Sequence, residues 1–185
     1  MEKINTPIPG CYVLQPILRK DDRGRLVKIY HEDTFADLGL STSFPETYYS
    51  VSKKGVLRGL HFQVPPHEHV KCVTCVQGKI FDAVVDLRKD SPTYGQSFTI
   101  ELDSEIGNML YVPAGLAHGF YVMSETAVFV NRATSMYHGP SDGGIRWDSC
   151  GIEWPDMDPI LSEKDKEMPT LESFESPFVM AEATV

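Results

Sequence analysis

The strongest constraint on the fold is a rhythm of nine short β-rich runs separated by turn chemistry. The runs are CYVLQPI (11–17), RLVKIY (25–30), TYYSVS (47–52), HVKCVTCV (69–76), KIFDAVVDL (79–87), SFTIEL (97–102), NMLYVP (108–113), HGFYVM (118–123) and AVFVNRATS (127–135). Between them lie DDRG, SKKG, QG, DSPTYG, DSEIGN, PAG and GPSDGG, rich in the Gly, Pro, Asp, Asn and Ser that tight turns require. Many short strands with little helical periodicity predict an all-β fold, an antiparallel sandwich or barrel. Helix is expected only at the margins, over HEDTFADLG (31–39) and LSEKDKEM (161–168), the latter capped by Ser162.

At 185 residues the chain is long enough to bury a sizeable core and is expected to form a single domain. That core should run from about residue 8 to 165. Residues 166–185 are acidic with Pro and Ser, and are expected to be peripheral with a frayed end. The formal net charge of -9 argues against a nucleic-acid or anionic-membrane binder, although a few converging cations could still hold a phosphorylated ligand. No segment approaches the ~20 apolar residues of a spanning helix. The N-terminal MEKINTPIPGCYVL lacks the basic start and apolar run of a secretory leader. Cysteines at 11, 72, 75 and 150 fit reduced thiols in a cytoplasmic protein better than a disulfide framework.

Alternation in KIFDAVVDL puts Ile80, Asp82, Val84 and Asp86 on one face and Phe81, Ala83, Val85 and Leu87 on the other. Two aspartates in such a run fit either a polar cavity or a solvated outer face. The stretch HFQVPPHEHVKCVTC (61–75) has the density of a metal site, and His67 and His69 could converge on one ion if the backbone were extended. GNMLYVPAGLAH (107–118) matches the second cupin motif, Gly-x5-Pro-x-Gly-x2-His. Metal-binding cupins, however, carry a glutamate four or five residues after the paired histidines, where this chain has Val73 and Thr74. HEH follows Pro65-Pro66 and so reads as loop, and Cys72 and Cys75 would point to opposite faces of a strand. No metal is expected.

GVLRGLHFQ (55–63), HVKCVTCVQGKIFDAVVDLRKDSPTYG (69–95) and YVPAGLAHGFYVMSE (111–125) resemble the dTDP-4-dehydrorhamnose 3,5-epimerase family of metal-free cupins. DDRG (21–24), GIRW (144–147), GIEWP (151–155) and LSEKD (161–165) extend the match. The resemblance implies a cupin double-stranded β-helix, or jelly-roll barrel, with short peripheral helices, acting without a cofactor as a homodimer. It implies an epimerase of a nucleoside-diphosphate-linked 4-keto, 6-deoxy sugar, at C3, C5 or both. By motif position His61 is the base, Asp165 its partner, and Lys71 lies near the enolate oxygen. Arg58 and His118 fall at positions that bind sugar or diphosphate, with Arg23 and Lys164 as further contacts. The chemistry agrees, since histidine titrates near neutrality and a carboxylate behind it fixes its tautomer.

The departures concern the second proton. The family's catalytic tyrosine lies thirteen residues after the histidine of AHGF, a position held here by Asn131. An amide cannot replace a phenol as a proton donor. Tyr137 shares the parity of Asn131, but six extended residues would put it ~20 Å away. The glutamate after DxRG becomes Lys28, and Gln-x-Asn becomes Glu46-Thr47-Tyr48. A lone histidine returns its proton to the same face, so three outcomes stay open: another acid such as Tyr48, Tyr49 or water; a sugar-nucleotide keto-isomerase; or a non-catalytic sugar-nucleotide binder. Tyr48, Asn131 and Tyr137 are candidate substrate contacts in each case. A metal-dependent oxygenase is the more distant rival.

Overall fold

The computed structural model describes residues 1–180. In chain order the elements are β1 (Glu2–Asn5), β2 (Tyr12–Gln15), β3 (Leu18–Asp21), β4 (Gly24–Val27), α1 (Glu32–Asp37), β5 (Glu46–Lys53) and β6 (Leu57–Gln63). They continue with β7 (Lys71–Gln77), β8 (Lys79–Asp86), β9 (Ser97–Asp103), β10 (Met109–Val112), β11 (Leu116–Val122), β12 (Thr126–Ala133), β13 (Asp142–Gly144) and α2 (Glu163–Lys166). Six strands form one antiparallel sheet in the order β1-β2-β10-β7-β12-β5, and five form a second, β13-β6-β11-β8-β9. The sheets pack face to face in the expected jelly roll. β3 and β4 stand apart as a two-stranded hairpin.

Alternation decides which residues meet between the sheets. Val73 and Cys75 of β7, Ile80 and Val84 of β8, and Phe120 and Val122 of β11 interlock there with Phe129 of β12. The outer face of the five-stranded sheet is also buried. Leu57, Leu60 and Phe62 of β6 and Ala83 and Val85 of β8 pack under Trp147, Trp154 and Phe178. The C-terminal segment is therefore structural as far as Phe178, which is 3% exposed, while the expected fraying concerns residues outside those described. The far side of the six-stranded sheet is covered at one end by α1, whose Phe35 is fully buried against Leu14, Cys72, Met109 and Tyr111.

Several elements are shorter than the sequence suggests. The run RLVKIY ends as strand at Val27, because Ile29 and Tyr30 turn inward to join the α1 cluster. Helical structure over 161–168 is one turn, capped as expected by Ser162, whose Oγ accepts from Asp165 N at 3.1 Å. β1, β3, β6 and β13 fall outside the nine runs read as strands. HEH lies outside any strand, as Pro65-Pro66 predicted. No helix among the described residues is long and apolar enough to cross a membrane.

β6 holds the most consequential irregularity. His118 pairs with His61 but Phe120 pairs with Arg58, so β6 carries one extra residue against β11. Gly59 and Gly119 make the bulge sterically possible: a Cβ on Gly59 would sit 2.5 Å from Gly119 Cα. Arg58 and His61, three apart, would otherwise point to opposite faces. The bulge turns both inward.

Candidate active site

Between the sheets opens a cavity of about 310 Å³. β6 contributes Arg58, His61 and Gln63, β11 contributes His118, and α2 brings Lys164 and Asp165. The facing wall comes from the other sheet: Glu46, Tyr48 and Ser50 of β5, Lys71 of β7, and Phe129 and Asn131 of β12. Residues from five strands and a helix turn thus converge on one space, with His61 and Asp165 brought together from 104 positions apart.

His61 Nε2 lies 2.6 Å from Asp165 Oδ1. The imidazole side chain is 32% exposed to the cavity, whereas the Asp165 carboxylate is 4% exposed behind it. Burial alone would raise the Asp165 pKa, but the bond and charge of His61, the Ser162 hydroxyl and the Gly59 backbone outweigh it and hold the group below its ordinary value. An ionised Asp165 accepting Nε2–H leaves Nδ1 as the basic nitrogen. The one-turn helix exists to place this carboxylate: the Ser162 cap fixes the Asp165 backbone, and its side chain turns in under β6.

A second histidine–carboxylate pair lies alongside. His118, opposite His61 in the ladder, has Nε2 at 3.0 Å from both oxygens of Asp82. Asp82 is fully buried, and that burial raises its pKa even though His118 and Lys71 pull it down. Asp86 is equally buried, but it is tied to Arg88, Ser91 and Thr93 rather than to the cavity. Both aspartates of KIFDAVVDL are therefore interior, not on a solvated face. His118 stacks on Phe129 with ring centroids 5.9 Å apart.

Lys71 is 8% exposed, and its Nζ donates to the His61 carbonyl at 3.0 Å. Burial lowers its pKa to about 8, with Asp142 and Asp82 resisting. Arg58 Nε donates to Ser52 Oγ at 3.0 Å, which leaves the end of the guanidinium for a ligand. Lys164 Nζ is paired with Asp142 at the rim. Tyr137 also reaches the rim, because β12 ends at Ala133 and the chain folds back; its hydroxyl donates to Asp142 Oδ2 at 3.2 Å. The ~20 Å separation expected for a continuing strand does not arise. Asn131 is 2% exposed, and its Oδ1 has no hydrogen-bond partner among the described residues.

Two sequence expectations lie elsewhere. Arg23 sits on the β3–β4 turn, 90% exposed and bound to Asp21, because the hairpin pairs with neither sheet and carries it away from this chain's cavity. Lys28 faces a separate hollow beside Arg19 and His31. The HEH loop is occupied otherwise: His67 stacks on His138 at 3.8 Å, and His69 Nδ1 meets Gln63 Nε2 at 3.1 Å. Cys72 and Cys75 do face opposite ways, one toward α1 and one between the sheets. Glu46, noted only as a departure from the family, lines the cavity, and sequence reading missed Ser50 and Asp142. Alternation around Tyr48 could have found Ser50, whereas Asp142 depends on β13 pairing with β6.

A family model described as dTDP-4-dehydrorhamnose 3,5-epimerase matches residues 5–173. The Salmonella typhimurium enzyme of that name is 43% identical over 173 residues, 91% of this chain and 94% of its own. A Legionella pneumophila dTDP-6-deoxy-D-glucose-3,5-epimerase, solved with dTDP-4-keto-L-rhamnose, superposes with a TM-score of 0.92 at 34% identity, covering 97% and 99% of the two chains. A 3′-monoepimerase from Streptomyces bikiniensis, solved with dTDP-quinovose, gives 0.87 at 31% identity over 91% and 87%. Match of this extent, over one cupin architecture and nearly the whole length, places the chain in the dTDP-4-dehydrorhamnose 3,5-epimerase family.

Proposed function

We propose that the protein epimerises a 4-keto, 6-deoxy hexose carried on dTDP, at one or both carbons flanking the ketone. The His61–Asp165 pair facing the cavity is the observation that carries this reading. The ketone acidifies the neighbouring C–H bonds, so no cofactor is required. His61 Nδ1 removes the proton, and Asp165 supports the imidazolium that results. Lys71 Nζ stabilises the oxyanion in a space shielded from water, where a fixed charge acts strongly. Arg58 and Lys164 supply positive charge for the diphosphate, and His118 and Tyr137 complete the sugar and nucleotide contacts. Arg23 of the same chain has no part in this cavity.

The protein acts as a homodimer in this reading. Tyr49 and Val51 of β5 are 70% and 58% exposed beside the half-buried Val128 and Val130 of β12, an apolar stripe that a second copy would cover. The cytoplasm suits the four cysteines, all buried and unpaired, with burial pushing the Cys11 and Cys72 thiols up to about 12.

The test is incubation with dTDP-4-keto-6-deoxyglucose in deuterated water, followed at C3 and C5 by NMR. Deuterium with inversion at both carbons marks a 3,5-epimerase, and at one carbon a mono-epimerase. A keto-isomerase would move the carbonyl, and a binder would exchange nothing. Absence of both exchange and inversion with this and related 4-keto sugar nucleotides would sink the reading.

A further inference from the structure

Inversion requires a proton donor on the face away from His61, and the residue at the expected position, Asn131, has none to give. The cavity's two walls narrow the search. His61 and Asp165 come from the five-stranded sheet and α2, so the donor must come from the wall built by β5, β7 and β12. There Tyr48 stands directly across the ladder from Asn131. Paired strands hold such residues about 5 Å apart at Cα, so a phenol on β5 can serve nearly the same space as one on β12.

The other donors are engaged or misplaced. Tyr49 points out of the sandwich by alternation and is 70% exposed. Tyr137 sits at the rim with its hydroxyl on Asp142. Lys71 is held by the His61 carbonyl and is needed as a cation beside the oxyanion. Tyr48 shares its inward face with Ser50 and lines the cavity, 49% exposed there. A phenol ordinarily titrates at about 10, and partial burial raises this one while the Asn131 amide opposes the shift, so it is protonated at neutral pH.

A second observation falls on the same spot. Asn131 Oδ1 and Ser50 Oγ are the two buried side-chain polar atoms without a hydrogen-bond partner among the described residues. They flank Tyr48, one across the ladder and one two residues along β5. Buried groups of this kind cost stability unless something satisfies them, and both line the cavity. Sugar hydroxyls would satisfy them and would bring the reacting carbon against the phenol.

We propose that Tyr48 is the proton donor of the facing wall, protonating the enolate carbon on the side opposite His61. The inference rests on the epimerase reading above. His61 Nδ1 takes the C–H proton, and the electron pair moves into the enolate. Tyr48 O–H then transfers its proton to the other face of that carbon, the carbonyl re-forms, and a phenolate remains. Solvent accepts the proton of His61 and restores that of Tyr48, so no net proton is consumed. Asn131 is a positioning residue that holds the phenol and the sugar.

Tyr48→Phe tests this, compared with wild type and Tyr137→Phe on dTDP-4-keto-6-deoxyglucose in deuterated water. Tyr48→Phe should still wash deuterium into the substrate through His61, while inversion falls by about 10²-fold or more. Inversion at the wild-type rate would overturn the proposal, as would its loss in Tyr137→Phe instead. Joint loss of exchange and inversion, with an unchanged circular dichroism spectrum and melting temperature, would overturn it too, because Tyr48 would then be a binding residue. Inactive wild type would refute the epimerase reading itself, a result separate from all of these.

Discussion

Two histidine–carboxylate pairs lie side by side in the same sheet, yet they are built for different work. His61 keeps 32% of its side chain open and backs onto a carboxylate held ionised by four bonding partners and charges. His118 keeps 6%, and its carboxylate is one that burial disfavours as an anion. Both pairs contain the same chemical groups at hydrogen-bond distance. The solvation of the carboxylate and the access of the imidazole separate them. A base must reach its substrate and have its cation supported, and the first pair alone meets both demands. The second pair is suited to donating a hydrogen bond from a fixed orientation.

The sharpest way to break this comparison is to remove each imidazole. His61→Asn is expected to lower turnover and deuterium exchange by about 10³-fold, whereas His118→Asn should act mainly on KM. Loss of exchange in the second variant with retention in the first would reverse the assignment. Asp165→Asn comes next, with kcat reduced by about 10²-fold and KM little changed, measured by steady-state kinetics. Asp82→Asn keeps an acceptor for His118 and should cost less than about 10-fold, since only positioning is disturbed.

Lys71 gives a pH test of the shared oxyanion position. Its folded-state pKa of about 8 lies below the ordinary lysine value, so the ammonium is lost as pH rises through about 8. The rate should fall there, and Lys71→Met should remove that limb. Stability moves the other way: the unfolded chain holds a proton that the folded one has released, so the Lys71 contribution grows from about pH 8 to about 10.4.

The smallest effects are in stability. Asp165 is lowered in the folded state, so its contribution is present above about pH 3.9 and is lost as pH falls through the lower folded value. Wild type and Asp165→Asn should therefore converge in melting temperature toward acid. Asp82 is raised, so wild type should gain on Asp82→Asn as pH falls through that raised value toward about 3.9. Parallel curves for the two variants would erase the distinction between the pairs.

Much of this was legible locally. Turn chemistry and alternation located most strands. Ser162 announced its cap, Pro65-Pro66 announced a loop, and parity separated Cys72 from Cys75. Parity along ETYYSVS put Tyr48 and Tyr49 on opposite faces. These are properties of a single strand or turn, decided by neighbours within a few residues. Packing decided that Tyr48 is the one that lines the cavity.

Other features were decided only by tertiary contact. KIFDAVVDL fitted a cavity or a surface equally well until packing showed both aspartates fully buried. Simple alternation would have split Arg58 from His61, and an extra residue pressed between Gly59 and Gly119 reunites them. Tyr137 reaches the cavity because β12 stops at Ala133, and Arg23 leaves it because its hairpin joins neither sheet. By itself the amino-acid sequence located most of the strands, because they follow from turn chemistry and periodicity, and its motifs marked His61 as the candidate base through the family resemblance they carry. The cross-strand register that sets Tyr48 against Asn131, and the burial that distinguishes Asp82 from Asp165, were decided by the sandwich, because both are relations between strands far apart in the chain.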